Sequence, residues 1–194
     1  MPGFLASRWV ELVIAPLLTG LLASFFFLIL ASRFKPKFKI SKQIAKMPPS
    51  AFSPCSPGPC TGYAIKVLNI SRASAIEIEG RISLVSQSHV KGGFIGASAD
   101  FALWKSELFE LPGKGEDAED SAFRFVTHDD IEVNWDDDHY VVFTLYAKHA
   151  LTGFGKVFRQ VYDFRTDSVK RGVFDRGESM EIHTSQPQQK SVAP

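Results

Sequence analysis

Cysteine is scarce in this sequence: its 194 residues include two, Cys55 and Cys60, in the stretch SPCSPGPC. A framework of several disulfides and a four-cysteine zinc site are therefore excluded. Two alternatives remain for the pair: a disulfide in an oxidising compartment, or two reduced thiols in a loop rich in proline. The chain is long enough for one domain that buries its core without such crosslinks.

The motifs that mark common enzyme classes are also missing. The sequence contains no G-x-S-x-G elbow, no G-x-x-x-x-G-K-[ST] phosphate loop, no H-E-x-x-H and no dinucleotide fingerprint. We therefore expect no catalytic residues, no cofactor and no enzymatic activity. An enzyme with an unrecognised site is the remaining alternative, and it would need convergent polar groups in a deep pocket.

Carboxylates cluster in one stretch of the chain. Such clusters on the loops of a sandwich are candidate calcium sites, and two nearby histidines extend the candidate to a mixed His/Asp site. The spacing of an EF-hand is missing, however, and runs of aspartate are common in solvated turns. We therefore predict no metal site. The residues concerned are Asp129, Asp130, Asp136, Asp137, Asp138, His128 and His139.

Charge is absent between Glu11 and Arg33, over the sequence LVIAPLLTGLLASFFFLILAS. At about 1.5 Å of rise per residue, a helix of this length spans roughly 31 Å, close to the hydrocarbon thickness of a bilayer. We predict a single transmembrane helix over residues 12–32, after a leader at residues 1–11. A cleaved signal peptide is the alternative, but the apolar run is longer than usual and Ala31-Ser32-Arg33 is a poor cleavage context.

Basic residues are concentrated directly after this helix. The excess of positive charge on that side favours a cytoplasmic location for the rest of the chain, whereas a Cys55–Cys60 disulfide would favour the opposite side. We predict that the basic residues contact anionic lipid headgroups; as an alternative, they act only on topology. The six residues are Arg33, Lys35, Lys37, Lys39, Lys42 and Lys46.

From Pro48 onward the chain carries 15 basic and 20 acidic residues. Nucleic-acid binding needs clustered lysine and arginine, so this balance argues against nucleic acid as a partner.

Small residues recur on the predicted helix at spacings of about four. Such residues allow two helices to approach closely, so we predict a helix–helix contact. The alternative is ordinary lipid-facing composition. The residues concerned are Ala15, Thr19, Gly20, Ala23 and Ser24.

From Gly62 the hydrophobic pattern has a period of two. Residues 76–84 alternate apolar and polar side chains, and HYVVFTLYAK (139–148) with KVFRQVYDF (156–164) predicts a hairpin. The segment 87–102 contains three glycines and reads as a flexible loop. We predict an all-β domain over residues 62–183, an antiparallel immunoglobulin-like β-sandwich of about seven or eight strands. A basic juxtamembrane segment with a Pro-rich loop (33–61) precedes it, and a disordered tail (184–194) follows.

Two parts of this pattern, YAIKVLNISRASAIEIEGRISL (63–84) and residues 141–174 with the turn TGFG, resemble the cytoplasmic immunoglobulin-like sandwich of inward-rectifier potassium channels. The second helix and the T-V-G-Y-G type filter of that family are absent, so this chain cannot form such a pore. The resemblance implies a membrane-proximal sandwich that associates with copies of itself or with a partner.

The sequence therefore predicts a single-pass membrane protein whose β-sandwich acts as a protein-binding or scaffolding module. Its expected partners are a bilayer with anionic headgroups and a protein, which is another protein or a second copy. The alternative is an accessory or sensor subunit of a membrane complex, in which the small-residue face of the helix makes the specific contact.

Overall fold

The computed structural model describes residues 10–48, 62–90, 93–115 and 120–184. The chain divides into two compact units, Met1–Lys35 and Pro36–Pro194. The first unit contains an apolar helix, and the second contains all of the described strands. The domain thus includes residues from Pro36 onward, whereas the sequence pattern alone placed its start at Gly62.

The N-terminal unit is helical from residue 10 to residue 33. One π-helical turn, Val10–Ile14, leads into helix α1, Ala15–Arg33. Pro16 cannot donate a hydrogen bond to the carbonyl of Leu12, and its ring crowds that carbonyl, which accounts for the wider turn there. The stretch Leu12–Ile29 is long and apolar enough to cross a membrane, and its side chains are exposed. A signal sequence near the N-terminus meets the same criteria of length and composition.

Sheet A is built around one central strand. Strand β3 is flanked on one edge by β7 and on the other by β1 and β2, which follow each other along it. Strand β10 extends the sheet and runs parallel to β2, whereas the other pairings of this sheet are antiparallel. The strands are β1 Phe38–Ile40, β2 Ile44–Met47, β3 Gly62–Asn69, β7 Ala122–Thr127 and β10 Val169–Arg171.

Sheet B is built around two long antiparallel strands, β4 and β8. Strand β9 pairs with the free edge of β8, and the other edge of β4 pairs first with β6 and then with β5. A bulge between Ile76 and Glu79 separates the two halves of β4, and Glu77 adopts a left-handed conformation there with φ of 48°. The strands are β4 Ala75–Val90, β5 Gly93–Phe101, β6 Glu107–Leu111, β8 His139–His149 and β9 Gly155–Tyr162.

The connections between the sheets give the immunoglobulin-like order. Strand β3 of sheet A leads into β4 of sheet B, β6 leads back to β7 of sheet A, and β7 leads into β8, so consecutive strands repeatedly cross between the two sheets. Seven strands, β3 to β9, have five or more residues, which confirms the predicted fold class. After β9 come a helical turn, α2 (Arg165–Ser168), and two short strands, β11 (Val173–Phe174) and β12 (Ile182–His183), which pair with each other.

The core lies between the inner faces of the two sheets. Alternate residues of β8 point inward, so Val141, Phe143 and Leu145 are buried while Thr144 and Tyr146 are half-buried on the other face. Strand β1 contributes Phe38, whose ring packs edge-on against that of Phe158 at a centroid distance of 5.3 Å. Period-two patterning therefore sets the inner faces of both sheets.

The prediction of a flexible loop at residues 87–102 is wrong. Strand β4 continues to Val90, and Gly93–Phe101 returns as β5, which pairs with it over nine residues. Strand β5 lies at the edge of sheet B, and residues 96–100 are exposed on both faces. Because neither face is buried over residues 96–100, this part of the strand has no alternation of apolar and polar residues to indicate it.

Candidate functional site

The outer faces of the two sheets differ. Strands β11 and β12 form a third layer over sheet A, where Phe174 and Ile182 pack against Ala45, Met47 and Ala64. Among the described residues no such layer covers the outer face of sheet B. The outer face of sheet B is therefore the face that the described strands leave open to a partner.

A shallow cavity of about 410 Å³ lies on the outer face of sheet B. Its floor is apolar: Val142 on β8 is only 5% exposed and pairs across the strands with Val161 of β9. Tyr146 lines the same cavity, two residues further along β8. Thr144 lies between Val142 and Tyr146 on β8, and Glu79, Ser83 and Ser98 also line the cavity, so apolar and aromatic side chains stand among polar ones on this face.

Arginines flank this apolar floor. Arg81 on β4 and Arg159 on β9 both lie opposite Thr144 of β8, one on each side. Arg81 lies 3.7 Å from the carboxylate of Asp100, which also accepts a hydrogen bond of 2.6 Å from the hydroxyl of Ser83. For Arg159 no carboxylate partner is found in the described part of the chain. Its guanidinium is therefore the freer of the two for a partner.

Two further ionisable side chains, Lys148 and Glu77, lie at one end of this face. Lys148 on β8 forms an ion pair with Glu77 at the bulge of β4, and the hydrogen bond between them is the main cause that raises the pKa of Lys148.

Tyr146 lies so close to Gly155 of β9 that a Cβ there would be 2.6 Å from the phenol oxygen. The absence of a side chain at residue 155 therefore leaves the room that the ring of Tyr146 occupies.

The acidic loop before β8 uses its carboxylates to hold its own conformation. Asp130 accepts a hydrogen bond of 2.7 Å from the hydroxyl of Tyr63, and Asp129 accepts one of 2.7 Å from the backbone nitrogen of Ala102. Asp136 contacts the Nδ1 atom of His139, and this hydrogen bond is the largest cause that lowers the pKa of Asp136. Within the described residues, no group of three His, Cys, Asp or Glu is arranged to hold a metal ion.

The predicted lipid-contact residues fall into two groups. Lys35, Lys37, Lys39 and Lys42 are exposed, whereas Lys46 is turned into the domain. The ammonium of Lys46 lies 2.7 Å from the carboxylate of Glu132 and 5.3 Å from the centre of the Tyr63 ring. Lys46 therefore has a structural role, and the side chain of Arg33 lies outside the described part of the chain.

The small residues of helix α1 include two hydroxyls that bond within the helix. Ser24 donates to the carbonyl of Gly20 at 2.8 Å, and Thr19 donates to that of Ala15. Their polar groups are therefore satisfied without a second helix. The predicted helix–helix contact, which also includes Ala23, stays a prediction. Cys55 and Cys60 lie outside the described residues.

The fold defines a class: an immunoglobulin-like β-sandwich preceded by an apolar helix, with one outer face covered by its own chain. A scan with protein-family models found no match, and a search of curated proteins found no significant similarity.

Proposed function

We propose that this chain is a single-pass membrane protein whose β-sandwich binds another protein through the outer face of sheet B. The observation that carries this proposal is the asymmetry of the sandwich. Strands β11 and β12 cover sheet A, while sheet B leaves Val157 and Val161 exposed beside the floor formed by Val142.

The composition of this face suits a protein partner. Interfaces are enriched in aromatic residues and arginine, with an apolar centre and a polar rim. Here Tyr146 and Val142 occupy the centre, and Arg81 and Arg159 flank it. No deep enclosed pocket is needed for such a contact, because flat or shallow surfaces are usual between proteins.

For the location of the domain we propose the cytoplasmic side of the membrane. One basic residue, Arg8, precedes the apolar stretch, and six follow it within the next fifteen residues. Such an asymmetry keeps the basic side in the cytoplasm. The exposed side chains of Lys35, Lys37 and Lys39 support their proposed contact with anionic headgroups.

Site-specific photo-crosslinking of the full-length chain in its own cells tests the proposed interface. A photoreactive amino acid at Val157, which is exposed on β9 opposite Tyr146, should give a crosslinked product of one discrete mass. The same group at Lys170, exposed on β10 of sheet A, is the matched control and should give none.

A charge reversal then tests whether the arginines take part. With the crosslinked partner purified, Arg159→Glu should weaken binding at least tenfold, about 1.4 kcal/mol, because it reverses the charge beside the apolar floor. Lys170→Glu should leave the affinity unchanged. Equal crosslinking from both positions, or an Arg159→Glu chain with unaltered affinity, would contradict the proposed face.

A further inference from the structure

Lys66 is a buried lysine on the covered side of sheet A. It lies on the central strand β3, opposite Arg124 of β7, and is 1% exposed. The sequence pattern alone treats it as one member of an alternating strand. Burying an ammonium is costly unless its charge is compensated, so its surroundings need to be accounted for.

Main-chain carbonyls are the acceptors of this lysine. Its ammonium donates hydrogen bonds of 2.7 Å each to the carbonyls of Asp175 and Ser179, in the turn between β11 and β12. Arg124 donates to the carbonyls of Phe174 and Asp175 at 3.1 and 3.4 Å. These acceptors are dipoles, and they leave both positive charges without a full counter-charge.

The carboxylate of Asp175 is directed elsewhere. One of its oxygens accepts a hydrogen bond of 2.9 Å from the backbone nitrogen of Arg176, and the other lies 3.7 Å from Nε2 of His183. Burial and the nearby Arg124 lower the pKa of Lys66, and Asp175 offsets this only in part. Positive charge therefore accumulates at this point of the fold.

A cavity of about 200 Å³ lies beside these cations. Lys66, Arg124 and Arg176 line it, together with Ala122 and Gly177, and among the described residues no acidic side chain does. A water molecule takes up about 30 Å³ in the liquid, so the cavity has room for a tetrahedral oxyanion and some water. Gly177 adopts φ of 63°, a left-handed conformation that favours glycine and that turns the chain at the rim.

We propose that this cavity binds a phosphomonoester group through Lys66, Arg124 and Arg176. A phosphomonoester carries about −1.5 to −2 charges at neutral pH, which suits a cavity lined by three cationic residues better than a single carboxylate or chloride does. The planar guanidinium groups match the geometry of phosphate oxygens, and Lys66 adds a positive charge whose ammonium is held by the carbonyls of Asp175 and Ser179.

Two kinds of molecule carry a phosphomonoester group: a free phosphate compound, and a lipid whose headgroup is a phosphomonoester, such as phosphatidate. The site lies on sheet A and the proposed protein interface lies on sheet B, so each is tested without the other. A failure of the phosphate site would leave the proposed function unaffected.

Phosphate binding is tested on the full-length chain in nanodiscs of phosphatidylcholine, which carries no net charge. Inorganic phosphate is titrated at constant ionic strength and followed by calorimetry. We expect saturable binding of one phosphate per chain, which Arg176→Gln weakens at least tenfold. Arg176 is exposed, so this change should leave the fold intact. Arg171→Gln, which removes an exposed cation from β10, is the control and should bind as the unaltered chain does.

The lipid source is distinguished by repeating the titration in nanodiscs that contain phosphatidate. Loss of the calorimetric signal there, but not in nanodiscs with the same amount of phosphatidylserine, would identify the lipid headgroup as the ligand. An unchanged signal in both would identify a soluble phosphate compound. No saturable binding in phosphatidylcholine, or equal binding by the Arg176→Gln and Arg171→Gln chains, would overturn the proposal.

Discussion

Gly80 of β4 lies directly against the ring of Phe125 of β7, so that a Cβ at residue 80 would stand 2.5 Å from Cε1 of that ring. The two residues belong to different sheets, and their contact marks a point where the sheets approach closely. The Phe125 ring also packs against Phe123 and Phe143 at centroid distances of 4.9 and 5.3 Å. It therefore has little freedom to move away.

Gly80→Ala should destabilise the domain by about 1–3 kcal/mol, because the added methyl group overpacks the core and forces the ring or the strand to shift. Urea unfolding of the full-length chain in detergent, followed by near-ultraviolet circular dichroism, measures this loss. Gly96→Ala on β5 is the matched control, because the nearest atom to its added Cβ lies 3.8 Å away. An equal loss of stability in both chains would contradict the close contact.

The pair formed by Asp136 and His139 gives a prediction about acid stability. The hydrogen bond from His139 lowers the pKa of Asp136 below the ordinary value of an aspartate side chain. The folded state therefore binds fewer protons than the unfolded state at a pH between the two pKa values. The stabilisation that this pair contributes is present above the unfolded pKa and is lost as the pH falls through the folded pKa.

Asp136→Asn should therefore make stability fall less steeply as the pH falls through and below the ordinary range of an aspartate side chain. The measurement is the urea midpoint as a function of pH. Asp137→Asn removes the same charge one residue away and should alter the acid dependence less. An Asp136→Asn chain with the original pH dependence would exclude this pair as its source.

The long strands were predictable because a strand that is buried on one side alternates apolar and polar residues. In β4, Ile78, Ile82 and Leu84 face the core while Glu79 and Arg81 face water, and the same rule located β8 and β9. The helix was predictable from its uncharged length alone. These signals are local, and they depend on one face or one surface being uniformly apolar.

Other features depend on contacts between distant residues. The parallel pairing of β10 with β2 places Val169 opposite Ile44, and no sequence pattern near either residue indicates it. Lys66 occupies an outward position on β3 and reads as solvated, but the turn that covers it lies more than a hundred residues later in the chain. The candidate face on sheet B became visible only when the structure showed that sheet A is covered.

Lys46 is predicted to stabilise the fold rather than to bind lipid. Its ion pair with Glu132 is half-buried, with 22% and 26% of the two side chains exposed, so Lys46→Ala should cost about 1 kcal/mol. A double-mutant cycle with Glu132→Ala measures the coupling. Lys42→Ala, at an exposed position, should stay within about 0.5 kcal/mol of the unaltered chain. Zero coupling in the cycle would count against the ion pair.

The strand domain is predicted to fold without the helix. Every member of its main core cluster lies at or after Phe38, so removal of Met1 to Arg33 takes no side chain from that core. The truncated chain should be soluble, elute as a compact species in size-exclusion chromatography and show a cooperative thermal transition. Aggregation, or loss of the transition, would show that the helix is required for folding.

The location of the domain is predicted from the basic residues after the helix. A membrane-impermeant maleimide should label Cys55 and Cys60 only after the cells are permeabilised, because six positive charges retain that side in the cytoplasm. Prior reduction and a Cys55→Ser/Cys60→Ser chain are the controls for a disulfide and for background labelling. Mass spectrometry of the membrane-extracted chain should also recover peptides from residues 1–33. Labelling of intact cells would place the domain outside and make the cysteine pair a candidate disulfide, whereas a chain that lacks residues 1–33 would identify the helix as a cleaved signal.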